Sequence, residues 1–362
     1  IDEEHLQEAL ENVTTVRMPI VHAQQCRAVS DKLMGFEISP ILQKQMEGRH
    51  LSAGRVKSVA VMLVLNRQIE QTEFVREPYY VTNAIFEPDQ RANLDTKFTS
   101  DEISKQFLNH CITATFKLSE KNETTRKVTP PSPFKTSSLL KEAGRKFGMT
   151  SKMIMACAQK LYENGFISYH RTDSIVLSEA THTNIRDYVV NTFEENYYKK
   201  RNRKNGKNSQ EAHEAIHPTD INRLEVSGKD ITSRDCSVYE LIWKRTVASQ
   251  MADCEIEVQK WIIDISERDE KFICKFEREL FDGYRRIYRE VDVDDDGKVI
   301  ATVDPSTEAP EVPEWEIDQE VKFQDIIITE KFTTPPASYD ETGLISKLES
   351  LGIGRPSTYT QI

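Results

Sequence analysis

After Ser52 the apolar residues Val56, Val59, Ala60, Leu63 and Val64 recur at helical spacing, and residues 20–72 as a whole read as helix. Beyond residue 73 the period changes. Residues 79–86 are rich in β-formers, and Ile112, Ala114, Phe116 and Leu118 alternate with polar neighbours as a half-buried strand does. Residues 122–133, Asn-Glu-Thr-Thr-Arg-Lys-Val-Thr-Pro-Pro-Ser-Pro, read as an extended linker stiffened by proline. The helical period then returns. Leu139, Ala143 and Phe147 share one face behind a cap at Thr136 or Ser137, and Gly148 stops the helix. A second helix carries Met153, Cys157 and Leu161 and ends at Gly165, where a short apolar strand containing Tyr169 follows. Two helices joined by a Gly-containing turn and then a strand predict a helix-turn-helix with a wing-like strand. A third helix follows Ser178 with Ile185, Val189 and Phe193 as its stripe, and a fourth covers about 234–251. Strand character reappears at 255–265, 271–277, 284–290 and 321–329, with a Pro-rich loop at 305–313.

This succession predicts an α+β chain of several domains, divided as 1–73 helical, 74–130 β, 131–253 helical, 254–335 β and 336–362 helical. Hairpin-rich segments on either side of an insertion most simply pair into one β domain, and the two outer helical pieces would share another. At 362 residues the chain can support more than one core.

Composition narrows the class. Hydrophobic residues make up 38% and charged residues 30%, and no apolar run approaches the roughly 18 residues that a membrane helix needs. The six cysteines form no Cys-x-x-Cys pair, which argues against a zinc ribbon and for a reducing, intracellular compartment. A net charge of −11 predicts weak attraction to duplex DNA, but local placement of Lys and Arg decides binding. The acid gathers at 2–11, 292–296 and 307–320. Basic residues cluster at 199–207, which reads as a mobile, solvated loop, and occur singly inside the motifs.

The chemistry concentrates at residues 165–174, Gly-Phe-Ile-Ser-Tyr-His-Arg-Thr-Asp-Ser. A phenol at 169 and a guanidinium at 171 on one strand face could attack a phosphodiester and hold the charge that develops. Ionising a free phenol at neutral pH costs about 4 kcal/mol, so a neighbouring cation matters. Taken alone, Tyr-x-Arg equally describes a half-buried strand tyrosine beside a surface arginine. Asp173 could orient Arg171 or cap the following turn, and Thr172 and Ser174 are turn formers first. At 213–217, His-Glu-Ala-Ile-His has the spacing of a zinc-hydrolase helix, but Pro218 cuts that helix short. Helix starts near Ser52, Arg55, Lys57 and Ser58, and near Arg355, Pro356, Ser357 and Thr358, offer seats for phosphate. Arg27 and Asp31 lie one turn apart. The run Asp292-Val-Asp-Asp-Asp-Gly297 mimics a calcium loop, but Val303 stands where the glutamate should be, and a hairpin turn fits better.

Five blocks together resemble the signatures of type IA DNA topoisomerases, in the family's order and closest to the bacterial topoisomerase I branch. They are 23–27 with Asp31, 51–58, 165–174, 210–219 and 351–359. The resemblance implies a toroid: a β arch carrying the tyrosine domain over a helical base. It implies that Tyr169 forms a 5′-phosphotyrosyl link, that Arg171 positions and stabilises charge, and that His213 contacts DNA near the active site. Arg27, Asp31, Arg55, Lys57, Asp173, Arg355, Ser357 and Thr358 would bind DNA. Single-stranded and negatively supercoiled DNA are the implied partners, with no membrane and a monomeric protein in the cytoplasm, nucleoid or nucleus.

The chain departs from the family at His217 and Ser338, where arginine is usual, and at Lys57, where glutamine is more frequent. The family's Toprim domain, whose Asp-x-Asp pair and glutamate bind Mg²⁺, has no match before residue 20. The chain is therefore expected to be a central fragment, with Mg²⁺ held elsewhere and no zinc in this segment. By itself it should bind single-stranded DNA without relaxing supercoils. A non-catalytic single-strand-binding clamp of the same fold is the alternative.

Overall fold

The structure, a computed structural model, describes residues 7, 10–13, 15–46, 51–205, 213–289 and 312–359. They divide into two compact units, one up to residue 66 and the other from residue 67. The first unit holds helix α1 (Met18–Gln45), which starts with a proline in its first turn and buries no side chain. It also holds the start of helix α2 (Arg55–Glu73). On α2 the half-buried side follows Val56, Val59, Ala60 and Leu63, but Val64, which the sequence placed on the same stripe, is exposed.

In the second unit six antiparallel strands form one sheet: β1 (Pro78–Phe86), β2 (Gln90–Phe98), β3 (Phe116–Val128), β4 (Cys254–Ile265), β5 (Lys271–Phe281) and β6 (Phe323–Phe332). Their order is β3-β4-β5-β2-β1-β6, so strands from before and after the helical insertion interleave. Phe86, at the end of β1, is fully buried, with Phe116, Phe272 and Trp315 at 5.5, 5.7 and 6.3 Å. Each such ring contributes roughly 1.5–3 kcal/mol by leaving water. Helix α3 (Asp101–Cys111), capped by the Ser100 hydroxyl, adds Phe107 to this core.

The helical module consists of α4 (Thr136–Phe147), α5 (Ser151–Glu163), α6 (Glu179–Thr192) and α7 (Ser233–Ala248). Leu139, Leu140, Ala143, Ile154, Ala158, Leu161, Ile185 and Val189 are fully buried among them. Gly148 ends α4 in the left-handed conformation, at φ +63°, as its position predicted. Helix α8 (Glu341–Ser350) buries Ile345 in this same core, and Leu348 is fully buried as well. The segment before it is held from α2: Gln71 donates to the Pro336 carbonyl and Arg67 to the Ala337 carbonyl, at 2.8 and 3.0 Å.

Several expectations are corrected. Residues 122–128 are not linker: β3 continues through them in register with β4, because pairing satisfies backbone groups that a bare linker would leave to water. The strand expected from 112 begins only at 116, since Ser100, Asp101 and Glu102 nucleate α3 just upstream. Residues 283–286 form a 3₁₀ turn instead of a strand, with Gly283 at φ +49° against the carbonyls of 252 and 253. The cap of α4 is neither Thr136 nor Ser137. The N-cap position is Lys135, whose N–H donates to the Ser138 hydroxyl. The basic stretch is pinned in its described part: Lys199 and Arg201 both pair with Asp253, and Lys200 pairs with Glu179. The run at 292–297 and residues 305–311 lie outside the described residues. Among the described residues no helix is long and apolar enough to cross a membrane.

Candidate functional site

Helix α5 delivers the central tyrosine. Gly165, at φ +72°, turns the chain at the helix end, where Phe166 N–H donates to the Leu161 carbonyl at 2.9 Å. Ile167 then makes a single isolated bridge to Pro218. No ladder continues, because proline has no N–H to donate. Tyr169 therefore sits on an irregular loop and not on the strand that the sequence predicted. The same-face argument for Arg171 goes with the strand.

Long-range hydrogen bonds hold this loop. Ser168 N–H donates to the His217 carbonyl at 2.8 Å, and its hydroxyl donates to the Ala215 carbonyl at 2.9 Å. Ala215 N–H in turn donates to the Val176 carbonyl at 2.8 Å. Segment 213–219 thus threads between 134, 168 and 176, which puts His213 beside Tyr169 with ring centroids 5.6 Å apart. Tyr169 is 39% exposed. His213 and Arg171 are exposed too, and Arg171 forms no ion pair or side-chain hydrogen bond among the described residues. A phenol, an imidazole and an unpaired guanidinium therefore face solvent within one loop and its neighbour.

Behind them the packing is tight. His170 is fully buried, its ring 5.4 Å from Tyr169 and 5.9 Å from Tyr162. Burial, with the Arg171 charge adding, pushes its pKa down to about 4. Neither ring nitrogen finds a hydrogen-bond partner among the described residues. Tyr162 completes the aromatic group at 5.3 Å from Tyr169. Sequence reasoning passed over both residues. The only available signal was their aromatic character, at the end of α5 and next to the tyrosine.

His217, where the resemblance led us to expect arginine, is turned inward. Its Nε2 lies 2.9 Å from Glu214 Oε2 and its Nδ1 lies 2.8 Å from the Pro218 carbonyl. His217 holds the Glu214 carboxyl below the usual range. Thr172 and Ser174 are buried turn formers: the Thr172 hydroxyl accepts from Ser174 N–H and the Ser174 hydroxyl from Val176 N–H.

The 351–359 block approaches the same loop. Residues 356–359 form a turn, with Arg355 N–H donating to the Thr358 hydroxyl at 2.9 Å. Tyr359 is buried, and its pKa is pushed up to about 12 by burial first, then by Glu349, with Asp173 adding and Arg355 opposing. Asp173 and Arg355 are therefore both within electrostatic range of one hydroxyl. Ser357 stands exposed beside them.

In the first unit Arg55 grips Asp31 with two bonds, Nε to Oδ1 at 2.5 Å and Nη2 to Oδ2 at 2.9 Å. The hydrogen bond from Arg55, ahead of its charge and that of Arg27, holds the Asp31 carboxyl low. Lys57 Nζ donates to Ser52 Oγ at 3.0 Å. Among the described residues no group of three His, Cys, Asp or Glu side chains could hold a metal ion.

A family model described as DNA topoisomerase matches residues 15–362. A DNA topoisomerase 1 of prokaryotic type from Acanthamoeba polyphaga mimivirus is 34% identical over 394 residues, covering 99% of this chain and 45% of that protein. The DNA topoisomerase 1 of Campylobacter jejuni is 33% identical over 377 residues, covering 98% of this chain and 51% of that protein. The structure of full-length topoisomerase I from Thermotoga maritima matches with a TM-score of 0.78 and 32% identity, over 98% of this chain and 57% of that one. The chain spans about half the length of the curated relatives it matches.

Proposed function

The chain belongs to the type IA DNA topoisomerase family, and from that premise we propose that Tyr169 is the nucleophile of transient single-strand DNA cleavage. The observation that carries this is the exposed Tyr169 ring with His213 at 5.6 Å and, two residues on, Arg171, unpaired among the described residues. The Tyr169 oxygen attacks phosphorus, forming a 5′-phosphotyrosyl bond while the P–O3′ bond breaks. The phenolic proton departs, and the released 3′-oxygen takes one up. One phosphoester replaces another, so reversal reseals the strand without ATP, and passage of a strand between the two steps relaxes negative supercoils.

Arg171 carries the charge that develops on the phosphoryl oxygens, and His213 contacts the same phosphate. Arg355, Ser357, Thr358 and Asp173 guide the strand next to the loop. Arg27, Arg55 and Lys57 contribute backbone contacts, and Asp31 acts through Arg55, whose fork it orients. Mg²⁺ assists the full-length protein. The 362-residue chain by itself binds single-stranded DNA and leaves supercoils intact.

The test is a 3′-end-labelled single-stranded oligonucleotide, incubated with the full-length protein and Mg²⁺, then denatured. Label should stay on the wild-type protein and be lost with Tyr169→Phe. Label retained by the Phe variant, or never acquired by wild type, favours a non-catalytic single-strand clamp.

A further inference from the structure

We propose that the hydroxyl of Thr136 is a positioning group for the nucleophile. This rests on the reading of Tyr169 just given. Thr136 is the first residue of α4 and is fully buried. Its hydroxyl lies 2.7 Å from the His170 carbonyl and 3.0 Å from the Thr172 carbonyl, and it accepts from Thr172 N–H at 3.0 Å. Its own N–H donates to the Thr172 carbonyl at 2.9 Å. One side chain thus grips the backbone on both sides of Arg171, directly after Tyr169.

A threonine at a helix start ordinarily caps its own helix. Thr136 does not, because it is already the first residue inside the helix, with Lys135 at the N-cap position. Its hydrogen-bonding capacity goes to the loop instead. The buried His170 ring cannot substitute, since both of its nitrogens are unpartnered among the described residues. Residues on either side of Thr136 are themselves fixed: Lys135 Nζ pairs with Glu349 at 2.7 Å, and the Ser137 hydroxyl donates to Glu349 at 2.8 Å. The start of α4 is therefore a rigid mount, tied to α8 on one side and to the Tyr169 loop on the other. A loop held this way keeps the phenol and the guanidinium in one geometry, and misplacement by about 1 Å can cost on the order of 10²-fold in rate.

The deciding comparison is Thr136→Ser against Thr136→Ala in the full-length protein, since the two differ only in the hydroxyl. Covalent adduct formed with a 3′-end-labelled oligonucleotide at saturating DNA should fall roughly tenfold to hundredfold with Ala and recover with Ser. The Kd for the same oligonucleotide should stay within about twofold in both. Three results overturn the proposal: Ala cleaving like wild type, Ser failing to restore cleavage, or Ala losing its fold or its DNA affinity in proportion. Tyr169→Phe, run alongside, separates the two ideas. If it still forms adduct, the assignment of the nucleophile fails. If it forms none while Thr136→Ala cleaves normally, only the positioning role fails.

Discussion

The ring of His213 stands 5.6 Å from that of Tyr169, tilted by 44°, although 44 positions of sequence separate them. Hydrogen bonds from the Ser168 N–H and hydroxyl to the 217 and 215 carbonyls make that approach, so it does not depend on the side chain at 213 and survives changes there. His213→Ala in the full-length protein should therefore lower the rate of covalent adduct formation by about 10²-fold with the melting temperature unchanged. Single-turnover cleavage of a labelled oligonucleotide, beside a thermal melt, checks both. An unaltered rate removes His213 from the chemistry.

His170 should make the Tyr169 loop sensitive to acid. Its folded pKa of about 4 lies below the 6.5 of an exposed histidine, because burial penalises the charged ring. Above about 6.5 the ring is neutral in both states and folding is unaffected. As pH falls from 6.5 towards 4 the unfolded chain takes up a proton that the folded one refuses, and stability drops by on the order of 3 kcal/mol. Urea unfolding of wild type and His170→Met between pH 7 and 4 should show this dependence flattened in the variant. Parallel curves would mean that the ring finds a partner in solution.

The helical module is joined to residue 288 through a buried ionic cluster. Arg245 donates to Glu142 at 2.9 Å and to the Tyr288 hydroxyl at 2.8 Å, and Tyr288 also bonds to Glu142. Lys146 reaches the same carboxylate at 3.3 Å. Arg245→Met removes the main donor and leaves a buried carboxylate under-compensated, at a cost of roughly 3 kcal/mol. Denaturant titration should show the midpoint fall with the slope preserved.

Gly283 admits no side chain. Its φ is +49°, and a Cβ would stand 2.4 Å from the Asp253 carbonyl oxygen, which is backbone and cannot step aside. Gly283→Ala should destabilise the second unit by at least about 2 kcal/mol. A melting temperature within a degree of wild type would contradict this packing.

Much of the helical module was legible in sequence because its signals are local. The third helix begins after Ser178, which caps it, and Gly148 and Gly165 turn where expected. Apolar stripes such as Ile185 and Val189 are buried as their spacing implied. The sheet was less so. Strand β2 reads Gln-Arg-Ala-Asn-Leu-Asp-Thr-Lys-Phe, and only Ala92, Leu94 and Phe98 point inward, too few apolar positions to stand out from a loop.

What the sequence determined alone is which chemistry the chain carries: a phenol, a guanidinium and histidines in ordered blocks, with caps and stripes that fix the helices around them. Tertiary structure decided how those groups meet. The Tyr169 loop has no ladder of its own, so its shape comes from Thr136 and from the 213–219 segment that Ser168 binds, both tens of residues away in sequence. Hydrogen bonds between segments so far apart leave no periodic trace in either one, because each ends on a backbone carbonyl that every residue possesses.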